Sequence, residues 1–201
     1  LRERNYPLPM IENLQSDQTM FSTYDLDNLK PEAILFQTGY TTIKEVEDRI
    51  FCFDYPNQEV KTSFLKHLLD SFIDPGETYP WVLRLSSYLK RESMDEFFET
   101  VSAIFASIPY TLETRRDEAY FHTLFYLMVS ASGASARTEV LGYRGRIDLV
   151  VSFSDKVYII EFKCNESARA ALKQIHDRGY ADQYRQSGKK LILMGINFDS
   201  E

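Results

Sequence analysis

The sequence has few features of secreted, membrane or zinc-finger proteins. It contains only two cysteines, Cys52 and Cys164, which fit neither a disulfide framework nor a zinc motif. No apolar run approaches the roughly 20 residues that span a bilayer. The N-terminal residues LRERNYPLPM lack the apolar stretch of a signal peptide, and they also lack an initiator Met. We therefore expect a cytoplasmic protein with two buried free thiols, and a chain that is a fragment of a longer one.

The chain also lacks an ATP-binding motif and an excess of basic charge. No Gly-x-x-x-x-Gly-Lys-Ser/Thr phosphate loop occurs in it. The net charge is −7, and residues 1–110 hold 10 Lys and Arg against 18 Asp and Glu, whereas residues 111–201 hold 13 against 12. This balance argues against a protein that coats nucleic acid nonspecifically. The nearly neutral second half could still approach a phosphate backbone.

What the sequence does contain is the composition of a globular protein. Hydrophobic residues make up 44% of the 201 positions, and 14 Phe and 13 Tyr can fill a sizeable core. A chain of this length forms one large domain or two small ones. We predict an irregular or helical tail over residues 1–30, a helical connector with a short hairpin over 31–110, and a separate domain over 111–201.

The first half is predicted to be mostly helical. Pro31 suits a helix start and Gly39 a helix stop, DPGE at 74–77 predicts a break, and Pro109 ends the last helix. Apolar spacing supplies the remaining boundaries. The predicted elements are a helix over 31–40, a two-stranded hairpin over 41–57, and helices over 59–73, 79–90 and 93–108. The first helix, the hairpin and the next helix would make a winged-helix-like unit.

The second half changes to a pattern of buried strands. The predicted elements are a helix over 112–131, strands over 136–143, 145–153 and 156–163, a helix over 167–186 that Ser167 caps, and a strand over 188–198. The first three strands follow each other through short turns, and a helix crosses between the last two, which makes that pair parallel. The predicted fold class is α/β, of the α+β type, with a mixed sheet flanked by helices.

Three charged residues interrupt the apolar strands of this sheet. Glu161 and Lys163 are two positions apart in KVYIIEFK, so their side chains lie on one face of the strand. If strands 145–153 and 156–163 pair around their short turn, facing positions sum to about 309, so Asp148 faces Glu161. The sequence thus predicts two carboxylates and one amine together on the sheet.

This constellation has the chemistry of a metal-dependent phosphodiesterase. Two carboxylates can hold Mg²⁺, and the backbone carbonyl of Phe162 is a further candidate ligand. The metal polarises a phosphoryl oxygen and helps generate hydroxide. Lys163 can orient or deprotonate the attacking water, or stabilise the developing charge. The alternative is a structural ion pair among Asp148, Glu161 and Lys163 with a spare carboxylate.

Residues 139–199, from EVLGYRGRIDLVV through YIIEFK to GKKLILMGINFD, resemble the PD-(D/E)XK nuclease superfamily. The resemblance is closer to the bacterial branch whose nuclease domain lies C-terminal to an AAA-ATPase-like domain. The segment ILFQTGYTTIK, residues 34–44, resembles the connector of those proteins. The resemblance implies a restriction-endonuclease-like fold, Mg²⁺ that Mn²⁺ can replace, a nucleic-acid substrate that we expect to be DNA, and an upstream ATPase-like domain of which residues 1–30 are the tail.

The same resemblance assigns roles to individual residues. Asp148 and Glu161 bind metal, Lys163 is catalytic, and Glu118 on the preceding helix is the candidate for a further metal ligand. Ile147 stands where the superfamily usually has Pro before the Asp, which does not touch the chemistry. Some relatives also carry a Gln and a Tyr on the helix after the Glu-x-Lys motif. Gln174 and Tyr180 are the candidates here, although residues six apart do not share a helical face well.

The remaining polar residues near these motifs have competing interpretations. Arg146 or Arg144 could touch a phosphate, but we favour an ion pair between Arg146 and Glu139 across the first hairpin. Glu139 is otherwise a supplementary metal ligand. His122, one helical turn after Glu118, is interpreted as a packed core histidine, because no second histidine lies at metal spacing. His67 and His176 have no supporting pattern.

Two functions from different classes fit these observations. The first is a metal-dependent nuclease, which the intact set of Asp148, Glu161 and Lys163 favours. The second is a catalytically silent nuclease-like module for binding nucleic acid or protein. A winged-helix DNA-binding unit at about 31–73 is disfavoured by its acidic charge. The sequence gives no sign of membrane association and leaves a homodimer open.

Overall fold

The computed structural model describes residues 14–18, 20, 30–108, 117–142 and 144–199, which divide into two compact units, residues 1–64 and 65–201. Several predictions lie outside the described residues. They concern most of the N-terminal tail, Pro109 as a helix end, and the start of the helix at 112. No helix within the described ranges combines the length and apolar character that a bilayer crossing requires.

The first unit contains a three-stranded antiparallel sheet beside a short helix. Its elements are β1 (Leu14–Ser16), α1 (Pro31–Gln37), β2 (Thr42–Glu47), β3 (Ile50–Asp54) and the start of α2 (Gln58–Leu69), and the strand order is β1-β3-β2. The predicted helix, hairpin and helix are confirmed. The sequence analysis missed β1, because a three-residue strand is too short to show alternation. Met20, Ala33 and Phe53 form the core of this unit.

Among the described residues of the second unit, the end of α2 and the helices α3 (Pro75–Arg91), α4 (Met94–Ala106) and α5 (Glu118–Ala131) precede the sheet. The predicted break between α2 and α3 is present, but it lies at residues 70–74 rather than at 74–77. Asp74 is an N-cap whose Oδ1 accepts the Gly76 N–H at 2.9 Å, so the sequence DPG starts a helix. The sequence analysis assigned α3 and α4 to a connector, whereas in the structure they belong to the same compact unit as the sheet.

The sheet of this unit has the predicted mixed topology. Its strands are β4 (Ser135–Gly142), β5 (Gly145–Ser152), β6 (Lys156–Cys164) and β7 (Lys190–Phe198), in that spatial order. The β4–β5 and β5–β6 pairs are antiparallel, whereas β6 and β7, joined by helix α6 (Ala168–Arg178), are parallel. The architecture is therefore α/β, with a mixed four-stranded sheet flanked by helices.

Helix α6 ends earlier than the sequence analysis predicted. Gly179 adopts a left-handed conformation with φ of 62°, and its N–H donates to the carbonyl of His176. A 3₁₀ helix, Asp182–Ser187, follows. The predicted helix through residue 186 was wrong, because the glycine C-cap divides the segment into two turns of different geometry.

The two faces of the sheet contact different helices. On one face Val157 and Ile159 pack with Ile175 of α6. On the other face the Phe162 ring lies 5.1 Å from the ring of Phe125 in α5. The Tyr158 hydroxyl donates to the carbonyl of Leu89 in α3 at 2.6 Å. Strand β6 is thus buried on both sides, which explains its nearly continuous apolar sequence.

Gly195 in β7 lets α6 lie unusually close to the sheet. A Cβ at this position would overlap the carbonyl oxygen of Ala168 and approach the backbone N of Leu172 to 2.8 Å. Gly195 is also the register partner of Glu161 on β6. The absence of a side chain at Gly195 therefore sets how closely the first turns of α6 approach the strand that carries Glu161.

We expect Gly195→Ala to reduce the free energy of unfolding by about 1–3 kcal/mol, because the added methyl group meets helix backbone that cannot rotate away. Urea denaturation measures this loss. Gly188→Ala is the control: Gly188 has open space around its Cβ position but a φ of 69°, so it loses only about 1 kcal/mol through backbone strain. A smaller loss for Gly195→Ala than for Gly188→Ala would contradict the close approach.

Candidate active site

Glu161 is a carboxylate inside a buried strand. All residues of β6 from Lys156 to Phe162 are buried, and Glu161 is only 1% exposed. Lys163, two positions later, lies where the strand emerges, with its side chain 16% exposed and its Nζ 4.0 Å from Glu161 Oε1. Because β6 alternates its side chains between faces, both residues point to the face on which α6 packs.

Asp148 lies beside Glu161 on the neighbouring strand. The β5–β6 ladder runs from Ser152↔Val157 to Leu149↔Ile160, which is the predicted register. The ladder ends one pair before Asp148. Beyond it, the Asp148 side chain replaces the backbone as acceptor, because its Oδ2 accepts the backbone N–H of Phe162 at 2.8 Å. The aspartate thereby binds the backbone of the Glu-x-Lys segment.

The strand alternation breaks at Asp148. On the β4 side, the pairs Thr138↔Leu149 and Val140↔Ile147 flank a gap at Glu139 and Asp148, and Glu139 has a φ of 53°. Ile147 and Val150, three residues apart, pack in the same cluster beneath α6. A regular strand would place these two residues on opposite faces. The irregularity therefore frees Asp148 from regular strand pairing on both sides.

Burial raises the pKa values of both carboxyl groups. Burial, and to a lesser extent the nearby charge of Asp148, raise the pKa of Glu161 to about 7, although Lys163, the backbone of Asp148 and Gln174 oppose the rise. Burial also raises the pKa of Asp148 above its usual value, opposed by its bond from Phe162 and by Lys163 and Arg146. Such paired, perturbed carboxyl groups are typical of functional sites.

The donor set fits a divalent metal held by few protein ligands. Glu161 Oε1 accepts a hydrogen bond from Gln174 Nε2, whereas Oε2 is buried and has no hydrogen-bond partner among the described residues. The N–H of Phe162 points toward Asp148, and in an extended strand the carbonyl of the same residue points to the same side. Within the described ranges, no three His, Cys, Asp or Glu side chains group as metal ligands. Two carboxylates and a carbonyl, completed by water, suit Mg²⁺.

The structure does not bring Glu118 to this pair. Glu118 is exposed in the first turn of α5, where Asp117 caps the helix by accepting the Tyr120 N–H at 3.1 Å. Burial lowers the pKa of His122 and raises that of Cys164; the charge of Glu118 opposes the first shift and adds to the second. The predicted role of Glu118 as a metal ligand therefore remains a prediction.

The arginines of the β4–β5 hairpin lie at the edge of the site. Arg146 Nε lies 2.5 Å from Glu139 Oε2, so the expected pair across the hairpin is present, and Arg146 is 62% exposed. Burial raises the pKa of Asp148, and the charge of Arg146 opposes this rise. Arg144 is exposed, and its backbone carbonyl accepts a hydrogen bond from Arg178 at 2.8 Å.

Gln174 and Tyr180 have different surroundings. Gln174, on α6, contacts Glu161 as described, whereas Tyr180 is 3% exposed and packs in the core beneath α6. The prediction that Tyr180 lies on the helix was wrong, because the helix ends at Arg178. A Cβ at Gly145 would lie 3.0 Å from the Tyr180 hydroxyl, so this ring holds the β4–β5 hairpin.

His122 packs in the core, as predicted, and it also contacts a residue of the candidate site. Its Nε2 donates to the backbone carbonyl of Asp148 at 2.9 Å, and its ring centroid lies 4.9 Å from that of Phe162. Burial lowers the pKa of His122, which favours the neutral ring. The packing was foreseen, but the bond to Asp148 was not. His67 and His176 are both exposed.

The two cysteines are free, as expected, but both are half-buried rather than buried. Gly195 was missed altogether, although a glycine inside a buried strand often marks close approach of another backbone.

Comparison with known proteins adds a family match for this part of the chain. Residues 116–201 match the family model of the PD-(D/E)XK nuclease superfamily. The chain is also 33% identical over 213 residues to "Uncharacterized protein in vnfD 5'region" of Azotobacter chroococcum mcd 1, and it covers 41% of that protein's length. No solved structure matches the chain. The match supports the nuclease superfamily, and the mixed sheet flanked by helices is consistent with a restriction-endonuclease-like fold.

The raised pKa of Glu161 predicts that, without metal, the free energy of unfolding decreases as the pH rises. Between about 4.5 and about 7 the unfolded chain has already lost the Glu161 proton that the folded chain retains. The free energy of unfolding therefore decreases across this window and levels off above it. Glu161→Gln removes the effect. With chelator present, the difference in free energy of unfolding between this variant and the wild type should therefore shift in favour of the variant by roughly 1–3 kcal/mol from pH 4.5 to pH 8.

Urea denaturation at both pH values, with the exposed Glu166→Gln as the matched control, measures this gain. An equal gain for the two variants would show that Glu161 ionises normally in the folded protein.

Proposed function

We propose that this chain carries a Mg²⁺-dependent nuclease site that hydrolyses phosphodiester bonds of DNA. The superfamily match makes nuclease activity the expected class of reaction. The observation that carries the proposal is the buried Glu161, whose Oε2 has no hydrogen-bond partner among the described residues although Asp148 lies beside it. A buried carboxylate oxygen left in this state costs free energy unless a cation binds it.

Asp148, Glu161 and the carbonyl of Phe162 would hold the Mg²⁺, and Mn²⁺ can replace it. When bound, the metal stabilises negative charge on the phosphoryl group and lowers the pKa of a bound water. Gln174 Nε2 donates to Glu161 Oε1, so Oε2 is the oxygen that would bind the metal. The N–H of Phe162 fixes the orientation of the Asp148 carboxylate.

Lys163 is the proposed catalytic cation. Its Nζ lies 4.0 Å from Glu161 Oε1 at the emerging end of β6. From there it can donate a hydrogen bond to the attacking water or to a phosphoryl oxygen on which charge develops. Arg146 is auxiliary: its exposed guanidinium can bind a substrate phosphate after it separates from Glu139.

We extend the proposal to the substrate, the neighbouring domain and the location of the protein. The balanced charge of residues 111–201 is compatible with a DNA substrate, unlike the acidic first half. The chain spans 41% of the length of the relative it matches, which leaves room for the upstream AAA-ATPase-like domain that the bacterial branch implies. We also propose a cytoplasmic location, which suits the two free cysteines. The proposed site is compatible with a monomer and with a homodimer.

We expect the purified chain to cleave plasmid or single-stranded DNA with Mg²⁺ or Mn²⁺ and not with chelator. Lys163→Ala should lower the cleavage rate by about 100-fold or more, since proton transfer and charge stabilisation are lost together. Asp148→Ala should also abolish metal-dependent cleavage. Gel assays at matched protein concentration measure both effects.

Lys173→Ala is the control, because Lys173 is exposed on α6 and paired with Asp177 at 2.7 Å. Cleavage that persists in chelator, or that Lys163→Ala leaves unchanged, would contradict the proposed site. Metal-independent DNA binding without cleavage would instead favour the silent binding module.

A further inference from the structure

We propose that His122 is a positioning residue that holds Asp148 at the site by binding its backbone carbonyl. The contact is the 2.9 Å hydrogen bond from His122 Nε2 to Asp148 O. For its catalytic consequence this inference rests on the proposed nuclease function. The positioning itself is a property of the protein without metal or substrate.

Asp148 needs such a partner because it is absent from the ladders on both sides. The β4–β5 pairing omits Glu139 and Asp148, and the β5–β6 pairing ends at Leu149↔Ile160. A carbonyl without a strand partner in a largely buried strand costs free energy unless another donor replaces it. His122 supplies this donor from α5, on the opposite face of the sheet from α6.

The same histidine also contacts the group that the Asp148 carboxylate binds. Its ring packs at 4.9 Å against Phe162, whose N–H donates to Asp148 Oδ2 at 2.8 Å. Phe162 is held in turn by Phe125 of the same helix, at 5.1 Å. Helix α5 therefore holds the backbone of Asp148 and the residue that orients its carboxylate.

Two substitutions separate the hydrogen bond from the packing. His122→Phe keeps a ring against Phe162 but removes the donor. His122→Gln removes the ring but can place an amide N–H near the position of Nε2. His176→Phe is the matched control, because His176 is exposed on α6. Thermal unfolding of each variant shows whether it folds.

The first measurement is hydrogen exchange of the Phe162 amide in the metal-free protein, relative to the amides of the β5–β6 ladder. Asp148→Ala, which removes the acceptor, gives the exchange rate of the unbound amide. We expect His122→Phe to raise Phe162 exchange at least about 10-fold toward that rate without an equal rise in the ladder. We expect His122→Gln to stay nearer the wild type.

The second measurement is the Mg²⁺ concentration that gives half-maximal DNA cleavage. Loss of a residue that orients a metal ligand typically weakens metal binding about 10–100-fold. We therefore expect His122→Phe to need at least about 10-fold more Mg²⁺, and His122→Gln and His176→Phe to need less extra Mg²⁺ than His122→Phe.

The two measurements fail independently. If the wild type does not cleave DNA, the nuclease proposal fails, but Phe162 exchange still decides the role of His122. Wild-type exchange of Phe162 in His122→Phe would overturn the positioning role. So would a rise that the ladder amides share equally, since that would show general destabilisation.

Discussion

The rest of the site depends on the burial of the Glu161 carboxylate in the middle of strand β6. A carboxylate that loses its water must be neutralised, paired or bound to a cation. Glu161 has Gln174 on one oxygen and Lys163 at 4.0 Å, and a second carboxylate, Asp148, lies near enough to raise its pKa further. Two neighbouring carboxylates repel each other and so do not stabilise the sheet, whereas the proposed Mg²⁺ site requires them.

Helices on both faces of the sheet hold this unfavourable arrangement in place. On one face Gly195 allows α6 to lie close to the sheet, and Gln174 of that helix contacts Glu161. On the other face α5 binds the Asp148 carbonyl through His122. The start of β6 is anchored separately, since Lys156 Nζ donates to Glu92 and to the Lys90 carbonyl at the end of α3. The strand is therefore fixed at both ends.

Sequence reasoning predicted the elements of the sheet and the register that brings Asp148 to Glu161, because both follow from alternation and from a short turn. It did not predict the bond from His122 to a backbone carbonyl, since backbone acceptors leave no pattern in side-chain order. The start of α3 and the end of α6 were misassigned where proline and glycine allow two local structures. Glu118 was assigned by resemblance alone, and because no contact among the described residues joins it to Asp148 or Glu161, its role stays a prediction.

The most direct test of the account is a crystal structure of the protein grown with Mn²⁺, with the anomalous signal used to locate the metal. The account predicts an anomalous peak within coordination distance of Glu161 Oε2, an Asp148 oxygen and the Phe162 carbonyl, roughly 2.0–2.4 Å away, with water as the remaining ligands. A Mn²⁺ ion bound elsewhere, with Glu161 Oε2 still without a partner, would contradict it.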